Sequence, residues 1–190
     1  MRNCGVQSNG AWCVHSRRDI WAGGPGQRLS LVEDMVTFPD STVRPYPYLR
    51  SPNAVRIAAV EDRHVALVEQ DIYLLGRRAV ELPGGMVEQT EQPREAAARE
   101  LAEETGVAAA ELTMLGSVAS ARSLLTETVT LWLATGLTHG QPAPEPAEQS
   151  LTTKWVLIRE AVRMALDGVI VDAASAALLL HLHARTEPTP

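Results

Sequence analysis

Three glutamates, Glu100, Glu103 and Glu104, are the residues whose type and spacing most directly indicate chemistry. In a helix, positions three and four residues apart lie on one face, so these three carboxylates would gather on one side. Like charges placed this close repel one another and weaken an isolated helix. Such a cluster gains most when a hard divalent cation lies among its oxygens. We therefore predict a Mg²⁺ site here, with Mn²⁺ as the alternative.

The segment from Pro93 to Thr105 has the composition and the ends of a helix. It consists mainly of Ala, Glu, Arg and Leu; Pro93 suits the first helical position and Gly106 the position after the last. Arg99, four residues before Glu103, can hold that carboxylate with a fork of donors. We expect the opposite side, which would pack against a sheet, to comprise Ala97, Ala98, Leu101 and Ala102.

The loop before this helix distinguishes between two interpretations of the helix, a solvated surface and a functional site. A charge-rich helix by itself is more often a solvated face. However, Leu82-Pro83-Gly84-Gly85 follows an apolar strand, and two glycines between a strand and a helix allow bare backbone to approach a ligand. Loop and helix together predict a catalytic site.

The stretch from Gly85 to Val107 resembles the full signature of the Nudix hydrolases. The matching residues are Gly85, Glu91, Arg99, Glu100, Leu101, Glu103, Glu104, Gly106 and Val107. The resemblance implies that Glu100, Glu103 and Glu104 bind metal. It also implies that the backbone carbonyl of Gly84 adds a ligand, and that Glu91 supports the metal site or orients Arg99.

A wider resemblance, from Val32 to about Ala184, is to the ADP-ribose pyrophosphatase branch of that family. The matching pieces are VTFPD at 36–40, VEQ at 68–70, ELPGG at 81–85, the stretch 134–137 and LDGVIVDA at 166–173. Members cleave the diphosphate linkage of nucleoside diphosphate sugars. They are homodimers whose N-terminal strands help to form the pocket for the base, so the resemblance implies a nucleotide-sugar substrate and a homodimer here.

The same resemblance places a further glutamate, Glu127, where the branch carries one that binds metal or activates water. The catalytic residues would then be Glu104, Glu103, Glu127 and Arg99. A solvated loop carboxylate is the alternative for Glu127, and Glu145 and Glu148 are weaker candidates for the same role. Arg56 is interpreted as a solvated arginine, with phosphate contact as the alternative.

Two departures from the branch concern the substrate. Ala121-Arg122-Ser123 lacks the proline and glycine common in that loop, and Ile72 stands where the branch has arginine. Two alternatives therefore accompany the nucleotide-sugar hydrolase. One is a hydrolase of a nucleoside triphosphate or a pathway-specific nucleotide, and the other is a Nudix module that senses a nucleotide without hydrolysing it.

Composition limits the classes of partner. The formal charge of −6 gives no basic footprint, which counts against nucleic acid as the main partner. No apolar run has the length of a signal peptide or a membrane span, so we expect a cytoplasmic protein with no membrane partner. Cys4 and Cys13 fit no disulfide framework or zinc spacing, and free thiols are the simpler interpretation.

The order of strand and helix patterns predicts a mixed α/β fold, in which helices cover both sides of a mixed sheet. We expect an irregular segment at 1–27 and a small antiparallel β appendage, used for dimerisation, at 28–51. The hydrolase domain would extend from 52 to 186. One further strand is expected before the proline-rich stretch that begins at Pro45.

Overall fold

The computed structural model describes residues 7–9, 12–24, 28–144, 146 and 149–186. The chain forms two compact units. The first contains the described residues up to Pro52 together with Ala121–Glu127. The second contains Asn53–Ser120 and the described residues from Thr128 onward.

The first unit is a four-stranded antiparallel sheet. Its strands, in spatial order, are β1 (Gln7–Asn9), β2 (Trp12–Ala22), β3 (Ser30–Thr37) and β4 (Val43–Arg50). The prediction that 1–27 is irregular is therefore wrong for β1 and β2. Two register shifts interrupt the pairing of β2 with β3, between Val14 and Ser16 and between Asp19 and Trp21. Such bulges break the alternation by which a strand is recognised in sequence.

Strand β4 also continues through the prolines at which we expected it to stop. Pro45 and Pro47 pair with Met35 and Glu33 of β3, and β4 is an edge of the sheet. Proline is tolerated in an edge strand where its missing N–H would face away from the neighbour. Leu49, next in the same alternating series, does face outward, because its N–H binds the carbonyl of Leu124 at 2.7 Å.

Cys13 is buried on β2 and is disulfide-bonded, so the expectation of a free thiol is wrong at this position. Cys4 lies outside the described residues. Composition could not show that β1 and β2 form a hairpin in which Ser8 pairs with Cys13. The cysteines therefore give no support to a reducing compartment.

The second unit is built on a six-stranded mixed sheet. Its strands are β5 (Ala54–Glu61), β6 (His64–Ile72), β7 (Arg77–Glu81), β8 (Val107–Ala119), β9 (Thr128–His139) and β10 (Thr152–Leu157). The order is β10-β6-β5-β9-β8, with β7 paired to β6. The β5–β9 pair is parallel and the other pairs are antiparallel. Asp62 and Arg63, both with positive φ, form the tight turn between β5 and β6.

Among the described residues, three α-helices cover this sheet: α1 (Pro93–Thr105), α2 (Ile158–Leu166) and α3 (Ala173–Thr186). One apolar cluster joins α1 to β5 through residues such as Leu101 and Ile57. The other joins α2 and α3 to the sheet through residues such as Val162, Leu178 and Leu67. The predicted mixed α/β class, with a separate antiparallel sheet, is confirmed. No helix in the described ranges is long and apolar enough to cross a membrane.

Candidate active site

Helix α1 begins and ends where its sequence indicates. Gln92 and Glu95 form a reciprocal capping box, and Pro93 occupies the first helical position. Gly106 ends the helix with φ of 72°, and its N–H binds the carbonyl of Ala102. The predicted bounds, Pro93–Thr105, are confirmed.

The face that α1 buries differs from the expected one. The buried positions are Ala96, Ala97, Glu100, Leu101, Glu104 and Thr105. Ala98 and Ala102, expected on this face, are exposed. The covered side of α1 therefore includes Glu100 and Glu104, which lie against the glycine loop, in place of Ala98 and Ala102.

Two of the three predicted metal ligands contact the glycine loop directly. Glu104 is 1% exposed, and its Oε2 accepts the N–H of Gly84 at 2.9 Å. The carboxylate of Glu100 lies so close to Gly85 that a Cβ there would be 2.4 Å from its Oε1. Glu103, with 32% of its side chain exposed, lies nearer to solvent. The structure thus brings together Glu100, Glu104 and the two glycines, as the sequence predicts.

Strand β5 fixes the path of the loop. Val55 donates its N–H to the carbonyl of Gly85, and Ile57 donates its N–H to that of Pro83, both at 2.9 Å. Gly84 lies between these bonds with φ of 151°, and a Cβ there would be 2.1 Å from the carbonyl oxygen of Val55. Glycine is therefore required at 84 by both space and conformation.

Arg99 binds more carboxylates than we expected. Its fork goes to Glu91, with Nε and Nη2 donating at 2.9 and 3.0 Å. Nη1 donates to Glu100 at 2.9 Å and to Glu103 at 3.0 Å. The hydrogen bonds that Arg99 donates to Glu91, followed by the charge of Glu100, raise the pKa of Arg99 above its usual range. The prediction that Arg99 holds Glu103 is confirmed, but through one bond and not through a fork.

Arg56 is the residue of this region that sequence reasoning placed wrongly. Its side chain is only 17% exposed, and it binds Gly84 O, Glu81 and Asp172. Asp172 in turn accepts the N–H and the hydroxyl of Ser175, and thereby caps α3. An arginine inside the apolar strand sequence AVRIAAV was the available signal. Its partners lie too far along the chain to be read from that signal.

Charge compensation stabilises this buried group of ions. Burial by itself would lower the pKa of Arg56, but the charges of Glu81 and Asp172 reverse the effect and raise it. Burial would also raise the pKa of Asp172. The charge of Arg56 and the hydrogen bonds from Ser175 outweigh that effect and hold this pKa below 3.8. Arg56 and Asp172 are therefore both ionised near neutral pH.

The chemistry of the donors fits a hard divalent cation. No three His, Cys, Asp or Glu side chains in the described part of the chain are arranged to hold a metal as they stand. Nη1 of Arg99 donates to an oxygen of Glu100 and to an oxygen of Glu103. The oxygens themselves are of the type that Mg²⁺ prefers, and glycine at 85 lets the loop backbone lie close to the carboxylate of Glu100. We conclude that the chemistry of these residues fits Mg²⁺.

Of the glutamates predicted in the later loops, the structure describes Glu127. Glu127 ends the segment Ala121–Glu127 of the first unit, whereas the α1 carboxylates belong to the second. Its catalytic role stays a prediction. Glu145 and Glu148 lie outside the described residues.

Comparison with known proteins assigns the family. A family model of the NUDIX domain matches residues 50–178, which include the glycine loop and all of α1. The chain belongs to the Nudix family. The predicted resemblance and the predicted enzyme class, a Nudix hydrolase, are confirmed.

Individual relatives of this Nudix hydrolase carry different names. It is 35% identical over 164 residues to an ADP-ribose pyrophosphatase of Mycobacterium tuberculosis, covering 85% of this chain and 79% of that protein. It is 33% identical over 119 residues to a methanol dehydrogenase activator of Bacillus methanolicus, covering 62% and 64% respectively. A solved structure described as an ADP compounds hydrolase superposes with a TM-score of 0.79 at 20% identity, covering 95% of this chain and 96% of that one. This last likeness concerns the fold.

Proposed function

We propose that the chain hydrolyses the diphosphate linkage of ADP-ribose or a related nucleoside diphosphate sugar with Mg²⁺. The observation that carries the proposal is the contact of Glu100 and Glu104 with the Gly84-Gly85 loop. It places buried carboxylates beside bare backbone, which is what a charged diphosphate and its metal require. The relative named ADP-ribose pyrophosphatase supports this choice of substrate.

Glu100, Glu103, Glu104 and the Gly84 carbonyl would hold the metal. Mg²⁺, when bound, would offset the charge of the diphosphate and make water a better nucleophile. Glu104 is fixed by the N–H of Gly84, so its carboxylate is oriented before substrate arrives. Arg99, anchored by Glu91, keeps a counter-charge beside Glu100 and Glu103.

The proton balance requires one carboxylate to act as general base. Water attacks one phosphorus, the bridging P–O bond breaks, and a nucleoside monophosphate and a sugar phosphate leave. Glu103 is the more solvent-accessible of the α1 carboxylates and is one candidate to take the proton of that water. Glu127 is the other candidate, on the resemblance described above.

A product-resolved screen tests this function. Purified protein with Mg²⁺ is incubated with ADP-ribose, other nucleoside diphosphate sugars, dinucleotides and nucleoside triphosphates. We expect ADP-ribose to give AMP and ribose 5-phosphate, and Glu104→Gln to abolish the reaction. The matched control is Glu95→Gln, because either side chain can complete the capping box at this position. Equal turnover by the Glu104→Gln variant would reject the proposed site.

Ile72 and the Ala121-Arg122-Ser123 stretch favour a second candidate, hydrolysis of a nucleoside triphosphate or of a pathway-specific nucleotide. Both positions depart from the branch that handles nucleotide sugars. Release of pyrophosphate in the same screen would identify a triphosphate substrate. Nucleotide binding without any turnover would instead identify a non-catalytic sensing module.

We also propose that the first unit mediates a homodimer. Ile20 and Trp21 on β2 are 46% and 50% exposed within the single chain. Large apolar side chains left exposed on a strand support an interaction surface in this unit. Sedimentation equilibrium of the protein and of a Trp21→Ser variant tests this proposal: the wild type should sediment as a dimer and the variant as a monomer. A monomeric wild type would reject it.

A further inference from the structure

Arg56 connects three segments of the second unit through its three guanidinium nitrogens. Nη1 donates to the carbonyl of Gly84 at 2.7 Å. Nη2 donates to Glu81, at the end of β7, and Nε donates to Asp172, at the start of α3, both at 3.0 Å. Each nitrogen therefore has a different partner on a different segment.

The position of Arg56 on β5 explains why it reaches Gly84. Its neighbours Val55 and Ile57 bind the carbonyls of Gly85 and Pro83. Arg56 thus lies opposite Gly84, in the same register as the bridge between Ala54 and Met86.

The peptide groups on both sides of Gly84 are thereby held from opposite ends of the site. The N–H of Gly84 binds Glu104 on α1, and its carbonyl binds Arg56 on β5. A carbonyl oxygen has two lone pairs, so binding Arg56 leaves one free for a ligand. Glu104 and the Gly84 carbonyl are both proposed to hold the metal. Arg56 fixes the position of the carbonyl relative to the carboxylate of Glu104.

The surrounding charges allow a cation at this place. Glu81 and Asp172 together carry one more negative charge than Arg56 carries positive, so the group does not repel a metal as an isolated arginine would. Glu81 is itself held by Gln70, whose amide donates at 3.1 Å. Asp172 is held by Ser175. Both carboxylates that pair with the guanidinium are therefore held in place by a second residue.

We propose that Arg56 is a positioning residue for the metal site, acting through the Gly84 carbonyl without touching substrate. It ties the glycine loop to α3 and to the end of β7, so that the loop presents its carbonyl in one orientation. The inference rests on the proposed function for its activity readout, but not for its metal-binding readout.

The test uses a variant that keeps the positive charge of Arg56 but changes the geometry of its donors. In Arg56→Lys one ammonium replaces three nitrogens that point in three directions, so it cannot serve all three partners. Groups that orient metal ligands typically contribute about 10–100-fold to metal affinity or activity. We expect Mn²⁺ affinity, measured by electron paramagnetic resonance without substrate, to fall about tenfold. The value of kcat should fall by a similar factor, with KM changed less than threefold.

The matched control is Arg78→Lys. Arg78 also makes two ion pairs, to Glu69 and Asp71, but it does not contact the glycine loop. Mn²⁺ affinity and kcat should stay within twofold of wild type. A fall equal to that of Arg56→Lys would show a general effect of losing an arginine, and would overturn the proposal.

A double variant covers the case in which Arg56→Lys does not fold. Arg56→Met with Glu81→Gln keeps the net charge of the group and removes the bond to Gly84, so the same loss of Mn²⁺ affinity is expected. If the stably folded variant binds Mn²⁺ like the wild type and only its thermal midpoint is lower, Arg56 serves stability alone and the inference is wrong. If the wild type binds Mn²⁺ but hydrolyses nothing, the proposed function fails while this test still decides the role of Arg56.

Discussion

Replacing Gly85 by alanine should lower kcat strongly while it changes the free energy of unfolding little. Gly85 does not have positive φ, so its backbone accepts alanine. The new Cβ would lie 2.4, 2.7 and 2.9 Å from Oε1, Cδ and Oε2 of Glu100. Ordinary contact begins near 3.4 Å, so the carboxylate must move by about 1 Å.

The two consequences differ in size. Glu100 carries its carboxylate at the end of a flexible side chain, and forcing that chain off its rotamer costs about 0.5–1.5 kcal/mol of unfolding free energy. A displacement of about 1 Å in a catalytic group can reduce the rate about 100-fold. We therefore expect Gly85→Ala to unfold in urea almost like the wild type, while its kcat on ADP-ribose falls about 100-fold.

Two glycine variants serve as comparisons. In Gly84→Ala the Cβ would meet the backbone oxygen of Val55 at 2.1 Å, so stability should fall by at least about 3 kcal/mol. Gly116, on β8, has nothing within 4 Å of its added Cβ, and Gly116→Ala should change neither stability nor rate appreciably. A Gly85→Ala enzyme with kcat within threefold of wild type would refute the assignment of Glu100 to the metal site.

Three further substitutions test the supporting structure by urea unfolding. Asp172→Asn should reduce the fall in the free energy of unfolding as the pH is lowered. The pKa of Asp172 is lower in the folded protein than in the unfolded chain. The carboxylate therefore contributes stability above its unfolded pKa, and this contribution is lost as pH falls through its folded pKa. An unchanged slope below about pH 5 would contradict this. Ser175→Ala should cost about 1–3 kcal/mol, because the buried N–H of Leu82 loses its acceptor; a cost below about 0.5 kcal/mol would argue against it. Asp34→Ala should cost about 1–2 kcal/mol, since Arg17 loses a two-bond ion pair but is 49% exposed and can turn to water. A neutral result there would mean that this pair is fully offset by desolvation.

The helix and its loop were predictable because their signals are local. Pro93 and Gly106 mark the ends of α1 by backbone chemistry that depends on few neighbours. The spacing of Glu100, Glu103 and Glu104 places them on one face of a helix. The glycines before them indicate that bare backbone can approach a ligand. Local information therefore sufficed for the part of the site that α1 and its loop form.

The features that sequence reasoning missed depend on tertiary partners. Arg56 finds Glu81 25 residues away and Asp172 116 residues away, and nothing near position 56 indicates either. Pro45 lies within a strand because β4 is an edge, which only the sheet order decides. The rotation of α1 that exposes Ala98 is set by what packs against the helix. These three errors therefore concerned packing that the local sequence does not decide.

A time course of ADP-ribose hydrolysis with Mg²⁺, resolved by anion exchange, tests the role of the α1 carboxylates most directly when the wild type is compared with Glu104→Gln. We expect the wild type to produce AMP and ribose 5-phosphate in equal amounts. The variant, which keeps an oxygen for the N–H of Gly84 but lacks the charge, should produce neither. Turnover of ADP-ribose by the variant at the wild-type rate would contradict the claim that the α1 carboxylates carry out the reaction.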